Sequence, residues 1–80
     1  MTRDEAQGWM VNVLLEKVRT DRYPSTTQLS LIEQIIPPAM VPDYLDVLLD
    51  KAAQDPFPSI PMLQRIRRVT ESLPRTAQQG

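Results

Sequence analysis

The sequence predicts an all-α protein: four short helices, forming two tandem 34-residue helix–turn–helix repeats packed into a compact pseudo-twofold bundle. Three observations carry this expectation. The chain matches itself without a gap at an offset of 34 residues. Proline and serine punctuation falls at the same place in each copy. Apolar residues recur with a helical period on four segments.

The match aligns Val13, Leu14, Leu15, Lys17, Asp21, Pro24, Ser25, Leu29 and Ile32 with Val47, Leu48, Leu49, Lys51, Asp55, Pro58, Ser59, Leu63 and Ile66. Any two amphipathic hairpins share apolar spacing. They do not share a lysine, an aspartate and an aromatic-Pro-Ser string as well, so duplication is the better reading. The tetratricopeptide unit has the same period, but its Gly, Tyr and Ala positions are not matched here, and the chain is not assigned to it.

The elements follow in order. Thr2 and Glu5 form a capping box ahead of a first helix over about residues 3–20. Ser25 caps the second helix with Gln28, and Pro24 staples onto Leu29. Pro37-Pro38 ends that helix, because proline lacks the amide hydrogen that a helix interior needs. Pro42 suits the first position of a third helix running to about Gln54. Ser59 caps the fourth helix, Pro61 lies in its first turn, and Pro74 closes it. One domain over residues 1–74 results, with repeat one at about 3–38, repeat two at about 42–74, and a flexible tail at 75–80. Asp21, Tyr23, Pro24 and Ser25, with Asp55, Phe57, Pro58 and Ser59, are read as turn and cap residues. The Tyr23 and Phe57 rings are expected to wedge between the helices of their own hairpins.

On a wheel of about 100° per residue, helix 4 has one apolar sector, formed by Met62, Leu63, Ile66, Val69 and Leu73. Helices 1 and 3 have wider sectors, so each must bury two sides. Pseudo-twofold packing meets part of that demand and puts Val13–Leu15 and Val47–Leu49 in equivalent interior places. A homodimer or a partner's groove would meet the rest.

Composition narrows function. The 80 residues contain no cysteine and no histidine, which removes disulfides, imidazole bases, thiol nucleophiles and the usual zinc ligands. Net charge is −1, whereas nucleic-acid binders carry a basic excess. Met1 to Ala6 is polar where a signal peptide is apolar, and no run is long enough to span a membrane, so a cytoplasmic place is the default expectation.

No motif shifts a pKa, cradles a phosphate or gathers metal ligands, so catalytic, cofactor and metal residues are expected to be absent. Lys17 and Lys51 each precede an aspartate by four residues and read as helix-end pairs with Asp21 and Asp55. Asp43, Asp46 and Asp50 share one edge of helix 3, which reads as a solvated face because no calcium-loop pattern accompanies them. The two copies differ mainly at outward positions. Those differences nominate Trp9, Leu31, Arg65 and Arg68 as contacts for another protein, aromatic and arginine residues being enriched at binding hot spots. The expected function is therefore a non-catalytic protein–protein interaction module: an adaptor, a small regulator or a subunit of a larger assembly. The alternative is a small helix-turn-helix-type nucleic-acid binder using the helix 4 arginines, which the charge balance disfavours.

Overall fold

The computed structural model describes residues 1–73, so the expected tail at 75–80 and the role of Pro74 lie outside the described residues. Four helices follow one another: α1 (Arg3–Thr20), α2 (Thr26–Ile35), α3 (Val41–Gln54) and α4 (Ile60–Glu71). A 3₁₀ turn, Pro38–Met40, leads into α3. The protein is all-α, as its punctuation predicts.

Local chemistry accounts for each boundary. The Glu5 amide donates to Thr2 Oγ1 and the Thr2 amide donates to Glu5 Oε1, at 3.1 and 3.0 Å. This capping box satisfies donors that a helix start leaves open, and its bonds hold the Glu5 carboxyl below its ordinary value. Ser25 accepts from the Gln28 amide and Ser59 from the Met62 amide, so both serines open helices. Between each pair of helices an aspartate makes the same turn. Asp21 Oδ1 accepts the Tyr23 amide at 3.0 Å, and Asp55 Oδ1 accepts the Phe57 amide at 2.9 Å. Pro42 falls one residue later in α3 than expected, because the 3₁₀ turn delivers Val41 already in helical conformation.

α1 packs on both α2 and α3, and α3 packs on α4. The shortest dimension of the molecule is 16 Å, which is two helices deep. Val11, Leu15, Val18, Leu29, Ile32, Tyr44, Leu45, Val47, Leu48 and Val69 form one buried cluster.

The equivalence expected of the two copies fails at this level. Val13 is 50% exposed and Val47 4%, while Leu15 is 2% exposed and Leu49 48%. A pseudo-twofold axis would bury the same side of α1 and α3. Instead α1 buries Val11, Leu15 and Val18, and α3 buries Tyr44, Leu45, Val47 and Leu48. On the wheel these sectors differ by roughly a quarter turn. That difference fits one hairpin laid beside the next, each offering an opposite side to its neighbour.

Two further expectations are corrected. The Tyr23 and Phe57 rings do not wedge between helices; they are 70% and 88% exposed. Each sits beyond its helix end, where the aspartate turn directs the chain outward. The Lys17–Asp21 and Lys51–Asp55 pairs are absent from the ion pairs of the described residues. The two aspartates are occupied with turn amides, and Lys51 Nζ reaches across to the Arg19 carbonyl at 2.7 Å.

Candidate protein-binding surface

The only buried tyrosine of the described residues anchors the junction between the hairpins. Tyr44 comes from α3, and its hydroxyl donates to the Leu29 carbonyl at 3.3 Å and to the Glu33 carboxylate on α2. Arg65, from α4, pairs with the same Glu33 oxygen. Burial, then the bond to Glu33, pushes the Tyr44 hydroxyl well above its ordinary value. Burial pulls the Arg65 guanidinium down, but the bond to Glu33 and its charge outweigh it and leave the group above its usual value. Three polar groups thus satisfy one another in a largely desolvated place, where a lone partner would be costly.

This network fixes the role of one nominated contact. Arg65 keeps a side chain only 11% exposed and ties α4 to α2. Arg68 is exposed and borders a shallow depression with Glu33, Ile36, Val41 and Tyr44. Trp9 is exposed on α1 and borders a different surface with Val13, Lys17 and Thr20. Leu31 is partly buried on α2. The four nominated residues therefore do not converge on one patch. Asp43, Asp46 and Asp50 are all exposed, and Asp50 accepts from Gln54 Nε2 at 3.1 Å.

A surface that sequence reasoning missed lies at the turn end. The two aspartate turns stand side by side and enclose a groove of about 260 Å³ lined by Tyr23, Pro24, Leu29, Phe57, Pro58 and Met62 among others. Small-molecule pockets typically run to ~300–1,000 Å³, so this groove suits a side chain better than a free ligand. Its cations are Arg22, Lys51 and Arg65, and its acid is Asp55. Arg19 joins Arg22 and Lys51 on the adjoining surface. In a chain of net charge −1, this end is locally positive. The Arg22 guanidinium stands 5.6 Å from the Tyr23 ring centre, within cation–π range. The available signal was the repeated aromatic itself: a ring next to proline in a tight turn lies off either helix face, so the helical wheel gave it no place in the core.

No helix among the described residues is long and apolar enough to cross a membrane. Comparison with known protein families, with curated proteins and with solved structures finds no match to this chain.

Proposed function

We propose that the chain is a non-catalytic protein-interaction module that docks an acidic segment of another protein, bearing apolar side chains, into the groove between its two turns. One observation carries this reading: Tyr23 and Phe57, at the same repeat position, hold their rings out of the core and beside a groove walled by three prolines. Exposed aromatics cost solvation unless they are covered, and such residues dominate binding energy where a partner covers them. Charge adds direction. With Arg65 held by Glu33, the exposed Arg22 and the half-buried Lys51 face one carboxylate, Asp55, and favour a segment carrying Asp or Glu.

Nucleic-acid binding through α4 has less support. Arg65 is engaged by Glu33, and Arg67 lies 3.9 Å from Glu71, so the arginines do not form a stripe along one face.

An array of acidic peptides with interspersed Leu, Phe and Trp tests the reading, followed by amide-shift mapping of any peptide retained. Shifts at Arg22, Lys51 and Phe57, and binding lost in Phe57→Ala and Lys51→Glu, are expected. Retention of oligonucleotides in place of peptides, with affinity falling steeply as salt rises, would overturn it.

A further inference from the structure

The ends of the molecule, separate from the turn groove, carry a second surface. Hairpin two meets hairpin one through Tyr44, Val47, Lys51 and Arg65: the first two are buried, and Tyr44, Lys51 and Arg65 bond to Leu29, Glu33 or Arg19. The same repeat positions on hairpin one are Met10, Val13, Lys17 and Leu31. Met10, Val13 and Lys17 are exposed and Leu31 partly so. Hairpin one receives its neighbour with Leu15, Leu29 and the Arg19 carbonyl. The equivalent positions on hairpin two are Leu49, Leu63 and Ala53, all exposed. Each uncovered residue thus has a counterpart that the internal junction already uses, and the two ends of one molecule are the two halves of that junction.

We infer that a second copy of this chain docks head to tail, its Met10–Val13–Lys17 face seated on the Leu49–Leu63 face of the first. The internal interface then continues from one molecule into the next. Charge agrees with this register. Lys51 donates to the Arg19 carbonyl near the end of α1, and at an offset of 34 residues Lys17 of the next copy meets the Ala53 carbonyl. Ala53 lies in the last turn of α3, where carbonyls lack helical partners and the dipole favours a cation. The Glu33–Arg65 pair does not carry over: Arg67 stands opposite Leu31 and keeps Glu71, 3.9 Å away, as its own partner. Trp9, next to Met10 and exposed, widens the apolar face.

A contact of this kind joins two different surfaces, so it does not close on itself and should build chains longer than a dimer. The test is sedimentation of the full chain over a concentration series, with Val13→Asp and Leu49→Asp made separately. Wild type should grow in mass beyond the dimer as concentration rises. Each variant alone should be a monomer, with association weakened about 100-fold or more by a carboxylate set into an apolar contact. An equimolar mixture of the two should restore a dimer and nothing larger, because each variant keeps the face the other lacks. Helical content by circular dichroism confirms folding. Should Val13→Asp fail to fold, Lys17→Glu reads the same face. A wild type that stays monomeric, a Leu49→Asp variant that still dimerises (face-to-face docking of α1), or a mixture that remains monomeric would each overturn the inference.

Discussion

Hairpin one and hairpin two share caps, turns and apolar spacing, yet they bury different sides. Ser25 and Ser59 both open helices, and Asp21 and Asp55 both tie down the amide two residues ahead. Leu29 is fully buried, whereas its counterpart Leu63 is exposed. Local structure follows from the residues nearby in sequence, which the copies share. Burial follows from what lies alongside, and each hairpin has a neighbour on one side only. A repeated sequence therefore yields repeated elements without yielding repeated environments.

The sharpest way to break this comparison is a pair of matched truncations. Leu29→Ala should cost about 2–5 kcal/mol, the usual range for emptying a buried leucine site. Leu63→Ala should cost about 1 kcal/mol or less in urea titrations. Equal losses would mean the hairpins are equivalent after all. Glu33 and Arg67 form the second pair. Glu33→Ala strands Arg65, leaves Tyr44 only the Leu29 carbonyl and should lose about 1–3 kcal/mol, whereas Arg67→Ala removes a side chain that is 80% exposed and should change stability little. Thermal melts compare them directly.

The same network predicts a dependence on pH. The folded state holds the Tyr44 proton more tightly than the unfolded chain does. This contribution is therefore complete below about pH 10, tyrosine's ordinary value, and declines as pH rises beyond it. Melts at rising alkaline pH should show the decline, and Tyr44→Phe should remove that part of it while costing about 1 kcal/mol at neutral pH. The smallest effects test the likeness of the copies. Ser25→Ala and Ser59→Ala should each cost about 0.5–1 kcal/mol, and by similar amounts, because each removes one cap bond. A large inequality would show that capping, too, depends on the neighbouring hairpin.

Much of the architecture was legible in the sequence, because it rests on short-range chemistry. Thr2 with Glu5, the two serines and the prolines mark every helix start, and they act within a few residues of themselves. The side each helix buries was not legible. Val13 and Val47 carry the same side chain in the same local string, and only the position of the other hairpin separates them. The surfaces were legible in part. The difference between the copies marks Trp9 as outward, whereas Arg65, another such difference, is held by Glu33, a residue 32 positions away. An extended residue before proline suggests rings wedged between the helices for Tyr23 and Phe57, but the aspartate turns direct both outward.

Methyl signals report the central claim most directly. With Val and Leu methyls labelled and a soluble paramagnetic agent added to dilute protein, Val13 and Leu49 should broaden strongly, while Val47 and Leu15 stay sharp. Equal broadening of Val13 with Val47, and of Leu15 with Leu49, would restore the symmetric bundle and contradict the side-by-side arrangement.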